Sequence, residues 1–286
     1  MQSAGTQHDL STAVDRADIL VVIAHPDDEI FVSGTICLCV EKGFAVTLVC
    51  ATDGSGGGRD LLHDRPDLEL GQIRRRELML SASVLGVNAV LFLGLADVSS
   101  ADAIDSSWDQ PHVIRTLEEV IQRANPELIL THGPLGGYGH PAHRAVHRYV
   151  VTAAREVSFP GSIFSFCADT RNAFFSWHFD QPSNVQVNAR GFLRRRAASL
   201  SYHQSQIDYF LQPYFPRTPR KYLSTLFGFA FARTETGRKR IPIGTPNRFF
   251  RRFPVEGLAL QKAPDAGRAH FFGEHFAHDD RVQIAD

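Results

Sequence analysis

Cysteine is scarce in this chain. Its 286 residues hold four, Cys37, Cys39, Cys50 and Cys167, with no CxxC pair, which argues against a disulfide framework and against a thiolate metal site. Three of the four fall in apolar segments, where a free thiol packs as a small hydrophobe. Long apolar runs are missing as well. No stretch approaches the roughly 20 residues needed to span a bilayer, and residues 1–16 are polar and mixed in charge, without the apolar centre of a secretory leader. The expectation is a cytoplasmic chain with no transmembrane segment. There are no internal repeats, and the glycine tract at 54–58 is too short for a linker. Net charge is nearly absent too, at −1, but this hides an asymmetry: Arg190 to Arg252 carry 14 Lys and Arg against two acids, Asp208 and Glu235.

What is present is enough for a core. A hydrophobic content of 43%, with 10% aromatic residues, supports one large domain or two small ones. DILVVIA (18–24), AVTLVCAT (45–52), AVLFLGL (89–95), ELILTHG (127–133) and SIFSFCA (162–168) read as strands. Between them, IFVSGTICLCVEKG (30–43), IRRRELMLSASVLG (73–86), HVIRTLEEVIQRA (112–124) and HPAHRAVHRYVVTAAREV (140–157) read as helices, the first two closed by Gly43 and Gly86. This alternation predicts an α/β fold built of βαβ units, with a doubly wound, mostly parallel sheet and helices on both faces. FLRRRAASLSYHQSQIDYFL (192–211) predicts a further helix, and the sequence beyond it is irregular, rich in Phe, Arg, Pro and Gly.

In such a sheet, ligands bind outside the carboxyl ends of the strands. The polar clusters sit at those ends: HPDDE, TDGSGGGRD, AD and THGPLGGYGHPAH after the first four strands. His25 and Asp28 could face one divalent metal across a strand-to-helix turn, and His143 could add a third donor; zinc takes such donors and keeps a position for water in catalytic sites. Asp27 would then stand beside the metal uncoordinated, as a general base requires. Pro26 and Glu29 suit the first turn of a helix. For HPDDE alone, a plain pair of helix-capping acids weighs equally. His140, His143 and His147 recur along one helix face and could themselves bind a metal, but this would leave the carboxylates without a role, and His147, a turn further on, reads as structural. DGSGGGRD lacks the Lys-Ser/Thr of a P-loop and the GxGxxG spacing, so it reads as a flexible loop over the site. Arg74, with Glu77 one turn on, either braces the rim or forms an ordinary solvated pair.

Together AHPDDE, TDG, RRREL and GHPAHRAVH resemble the PIG-L, or LmbE-like, family of zinc-dependent N-deacetylases, and YHQSQ (202–206) is similar to that family's His-x-Ser-Gln element. The resemblance covers roughly residues 17–207. It implies a Rossmann-like fold, one zinc or other divalent ion per chain, and hydrolysis of an N-acetyl group on an N-acetylglucosamine-type amino sugar in a conjugate. By this resemblance His25, Asp28 and His143 match the metal ligands and Asp27 the general base. His140 matches the residue that stabilises the oxyanion and protonates the leaving amine, and Tyr138 stands where some members place a carbonyl-polarising tyrosine. Arg74 and Asp97 are the candidate substrate contacts. Two departures stand out: Ala142 replaces an Asp common in the family, which leaves the charge state of His140 open, and Ala96-Asp97-Val98 replaces Pro-Asp-Gly. The expected organisation is a flexible terminus (1–16), a Rossmann-like deacetylase domain (17–211) and an irregular basic extension (212–286) packed on it.

Residues 213–254 of that extension interleave Arg with Phe. They could bind RNA or an anionic membrane surface, grip an anionic or lipid-linked portion of a glycoconjugate, or pack on the core with the arginines answering the acidic first half. The glycoconjugate reading is preferred and nucleic acid disfavoured. The rivals to the deacetylase are a non-catalytic, metal-containing binding protein and an amidase acting on a different acylated amine. An uncoordinated Asp27 favours an enzyme, because a structural zinc site is closed by a fourth ligand. The oligomeric state is not set by the sequence.

Overall fold

The computed structural model describes residues 16–57, 69–137, 139–166, 182–206, 250–251, 254–264 and 270–285. Its strands are β1 (Ile19–Ile23), β2 (Val46–Thr52), β3 (Ala89–Leu95), β4 (Leu128–Thr131), β5 (Ser162–Phe166), β6 (Val185–Asn188), β7 (Val255–Lys262) and β8 (Val282–Ile284). Its α-helices are α1 (Ser33–Glu41), α2 (Leu70–Leu85), α3 (Ala101–Ser107), α4 (Gln110–Ala124), α5 (Pro141–Glu156), α6 (Leu193–Tyr202) and α7 (Phe271–His275).

β1 is buried along its whole length, as a strand covered on both faces must be. It pairs in parallel with β2 and β4; β3 extends the parallel sheet beyond β2, and β5 beyond β4. Alternate residues of β1 point to opposite faces. Leu20 and Val22 join Val113 and Leu117 of α4 and Val146 and Tyr149 of α5 in one core. Ile19, Val21 and Ile23 join Ile36 and Leu38 of α1, Leu78 and Leu85 of α2, and Phe272 of α7 in the other. The expected sheet with helices on both faces is thus present, and each expected strand of the first half lies within two or three residues of its expected ends.

Three departures concern the second half. The extension expected to be irregular enters the sheet: β7 inserts between β5 and β6, antiparallel to both, and β8 closes the edge on β6. Val185, Val187 and Leu258 are fully buried there; β6 and β8 are too short to display a period, and β7, VEGLALQK, does not alternate apolar with polar residues. The helix expected over 192–211 is shorter. A 3-10 turn (Arg190–Phe192) leads into α6, which stops at Tyr202; residues 203–206 turn inward because Glu29 and Glu77 bind the side chains of His203 and Ser205. Residues 207–211 lie outside the described part, as do 212–249, on which the readings of the basic tail rest, and Cys167. Finally, the helix expected from 30 begins as a 3-10 turn (Asp28–Val32) before α1. Among the described residues no helix is long and apolar enough to cross a membrane.

Candidate metal centre

The sheet order β3-β2-β1-β4-β5 reverses direction between β1 and β4, the position where open parallel sheets bind ligands. The loops after the first four strands meet there. β1 delivers His25 to Asp28, β2 delivers Gly54 to Gly57, β3 delivers Asp97, and β4 leads through His132 to His140 and His143 at the start of α5.

His25, Asp28 and His143, the three expected ligands, are brought together. His25 Nδ1 lies 3.2 Å from His143 Nε2 and 3.5 Å from Asp28 Oδ2, and His143 Nε2 lies 3.3 Å from Asp28 Oδ1. Each ring's other nitrogen is engaged elsewhere. His25 Nε2 faces Asp97 Oδ1 at 3.3 Å, and His143 Nδ1 faces the Gly136 carbonyl at 3.2 Å. Both contacts need an N–H on the ring, so in neutral rings the inward nitrogens are bare lone pairs. Two lone pairs so close, beside a carboxylate, repel unless a proton or a cation lies between them. Burial lowers the His25 pKa, but hydrogen bonds to Asp28 and Asp97 outweigh it and push it up to about 9. With these donor atoms within 3.2–3.5 Å of one another, the two nitrogens and the carboxylate are a zinc-type donor set.

Asp27 stands outside that set. Its backbone has φ of 115°, costly for a non-glycine residue. Three contacts hold it there. Its N–H donates to Glu29 Oε2 at 3.0 Å, its Oδ2 lies 3.1 Å from Arg74 Nη2, and Arg74 also donates to the Pro26 carbonyl. Burial pushes the Asp27 carboxyl up to about 6, against the opposing pull of Arg74. Behind it Glu29, fully buried, accepts from Ser81 Oγ and pairs with His203 Nε2 at 2.5 Å.

The His140 ring packs 4.7 Å from those of His25 and of His143, centroid to centroid. Its Nδ1 accepts from the Ala142 N–H, and burial together with the neighbouring histidines lowers its pKa to about 4. Ala142 is itself fully buried in the apolar core, so no acid stands beside His140 there. His147 Nδ1 donates to the His132 carbonyl at 2.8 Å, the structural role expected of it. Arg74 is buried and spends its guanidinium on Asp27, Pro26 and the Gly54 carbonyl, partners that belong to the chain rather than to a substrate. Asp97 likewise meets His25, and accepts from the Gly56 N–H with Oδ2. Tyr138 lies outside the described residues.

His132 was not singled out from the sequence. It stacks on His143 with centroids 4.0 Å apart, and its Nε2, 3.3 Å from Asp28 Oδ2, accepts from the Ala24 N–H. That bond occupies the ring's lone pair, which suits a packing residue rather than a ligand. The signal available was its place directly after β4, on the same rim as His25 after β1.

Fold and donor set define a class: an α/β protein with a His/Asp cluster that could hold a cation at the carboxyl edge of its parallel strands. More narrowly, the chain belongs to the PIG-L family, whose model, described as GlcNAc-PI de-N-acetylase, matches residues 20–154. A probable N-acetyl-alpha-D-glucosaminyl L-malate deacetylase 2 from Bacillus cereus is 30% identical over 213 residues, 73% of this chain and 92% of that one. A 1D-myo-inositol 2-acetamido-2-deoxy-alpha-D-glucopyranoside deacetylase from Nakamurella multipartita is 35% identical over 167 residues, 50% of this chain. The match spans only 57% of that relative's length. In fold, the N,N'-diacetylchitobiose deacetylase of Pyrococcus horikoshii superposes with a TM-score of 0.54 at 20% identity, covering 85% of this chain and 84% of that one. The 4-carboxy-2-hydroxymuconate hydratase GalB of Pseudomonas putida superposes with a TM-score of 0.57 at 19% identity, covering 90% and 100%. A deacetylase and a hydratase on one fold mean that the site, not the fold, must carry the functional argument.

Proposed function

We propose that this chain is a zinc-dependent hydrolase that removes an N-acetyl group from an N-acetylglucosamine-type sugar in a conjugate, with His25, Asp28 and His143 as metal ligands. The observation that carries the reading is Asp27: a carboxylate next in sequence to a ligand, outside the donor set, held in a costly backbone conformation and braced by Arg74. A structural metal site has no use for it. The family's deacetylase relatives support the reaction and the sugar.

A bound divalent ion would polarise the acetamide carbonyl and make water acidic enough to attack near neutral pH. The chain's own groups do the rest. Asp27 takes the proton of the attacking water; its Oδ2 is tied to Arg74, so Oδ1 is the oxygen that receives it. His140, neutral and with Nδ1 accepting from Ala142, carries its proton on Nε2 and donates it as a hydrogen bond to the oxyanion. This keeps the stabilising half of the role expected of His140 and moves the acid half to Asp27, which passes its proton to the nitrogen as the C–N bond breaks. Acetate and a free amine leave.

The test is mass spectrometry of a panel of N-acetylated sugars and glycoconjugates incubated with zinc-loaded protein. Loss of one acetyl group is expected, and Asp27→Asn should lower the rate by about 10²–10⁴-fold while zinc stays bound. No acetyl loss across the panel, or full activity in the variant, overturns the reading.

A further inference from the structure

Asp97 has two oxygens and both are taken. Oδ1 lies 3.3 Å from His25 Nε2 and Oδ2 accepts from the Gly56 N–H at 2.9 Å, with the side chain 8% exposed. Each oxygen keeps a second lone pair, but so buried a carboxylate offers little surface to a sugar hydroxyl. The position is also firmly held, because the carbonyl of Ala96 accepts from the buried Trp108 Nε1 at 2.8 Å. The loop after β2 reaches Asp97 by a close approach that glycine permits: a Cβ at Gly56 would sit 2.6 Å from the Asp97 carbonyl oxygen and 3.2 Å from Oδ2.

We propose that Asp97 is a positioning residue of the metal centre: its carboxylate fixes the tautomer and aim of His25, and the Gly56 amide seats that carboxylate, so that the 54–57 loop sets metal affinity. The proposal rests on the reading of His25 as a ligand. A neutral imidazole carries one N–H. A carboxylate facing Nε2 draws it there, leaves Nδ1 bare toward Asp28 and His143, and makes that nitrogen a stronger donor. Asp97 and Gly56 thereby join the centre from loops that contain no ligand, and the glycine tract acts on the metal at one remove.

The experiment measures Zn²⁺ and Co²⁺ binding by competition with a chromophoric chelator. The proteins are wild type, Asp97→Asn, Asp97→Ala, Gly56→Ala and the double variant Asp97→Ala/Gly56→Ala, with the fold of each checked by circular dichroism. In Asp97→Asn the new side chain can accept from His25 only by turning its NH₂ onto the Gly56 N–H, so neither replacement restores both contacts. The expected loss in metal affinity is about 10- to 100-fold for Asp97→Ala, with a shifted visible spectrum of the Co²⁺ form. Gly56→Ala should lose less, and in the Asp97→Ala background it should cost nothing further, because it acts through Asp97. If Asp97→Ala binds both metals as tightly as wild type and only KM rises, Asp97 is a substrate contact and the proposal fails, while the metal reading stands. An additive loss in the double variant removes the loop from it. Wild-type protein that binds neither metal overturns the metal reading itself, and this proposal with it.

Discussion

His203→Ala removes one partner of an ion pair in which neither residue has measurable exposure. Leaving Glu29 charged, buried and without its cation costs about 3–5 kcal/mol. Part of this is offset, because His203 Nδ1 has no hydrogen-bond partner among the described residues and an orphaned N–H costs about 1–3 kcal/mol. The expected net loss is therefore about 3 kcal/mol, which at roughly 2–4 °C per kcal/mol lowers Tm by about 6–12 °C. The pair also makes stability depend on pH. Burial lowers the His203 pKa, but Glu29, Asp27 and Glu77 face the ring and together raise it above 6.5. A histidine whose folded pKa is raised contributes fully below the unfolded value of about 6.5. The contribution is lost as pH climbs through the folded value, at no more than about 1.4 kcal/mol per pH unit. Urea unfolding of wild type and His203→Gln from pH 5.5 to 9 isolates the effect, since His25 titrates in the same sense in both. The gap between the two should narrow as pH rises. A gap that is flat across that range, or a cost below about 1 kcal/mol for His203→Ala, refutes the reasoning.

Two further outcomes follow from the same interior. Arg74→Lys cannot reach Asp27, Pro26 and Gly54 at once, and a base misplaced by about 1 Å should lower kcat on the order of 10²-fold with KM little changed; steady-state kinetics showing a raised KM at unchanged kcat would make Arg74 the substrate contact first expected of it. Glu256→Ala strips an acceptor from the Gly34 and Thr35 amides, the Thr35 hydroxyl and Arg196 Nη2, leaving Arg196 buried without its carboxylate. Thermal unfolding should show a loss of about 3–5 kcal/mol, with Glu256→Gln losing less; equal stability would show that β7 does not hold the start of α1.

The donors were legible in the sequence because each lies within a few residues of a strand end, and a strand end in a parallel sheet is already a position in space. HPDDE and GHPAH needed only the strand order to be joined, and the distances among His25, Asp28 and His143 join them. The brace was not legible, because its contacts cross the chain: Glu29 meets His203 at a separation of 174 residues, and Gly34 meets Glu256 at 222. No local period marks a glutamate that will be paired rather than solvated. Arg74 and Asp97 illustrate the cost. A charged residue at the rim reads as a hand held out to substrate, and only the structure shows that Arg74 meets Asp27 and Asp97 meets His25.

The proposed ligands come from the parallel half of the sheet, but Asp27 is held at φ 115° by Arg74 of α2 and by Glu29, which leans on His203 after α6. Strain of about 1–3 kcal/mol at the base persists only where the surroundings over-determine it. A residue far along the chain, His203, therefore helps to keep the proposed base outside the proposed donor set. Changes at His203 should lower turnover before they lower metal affinity, and changes in the 54–57 loop should do the reverse. Metal binding and kcat measured side by side on His203→Gln and Gly56→Ala would show the two effects separating; if both fall in step in each variant, the brace and the donor set are a single unit.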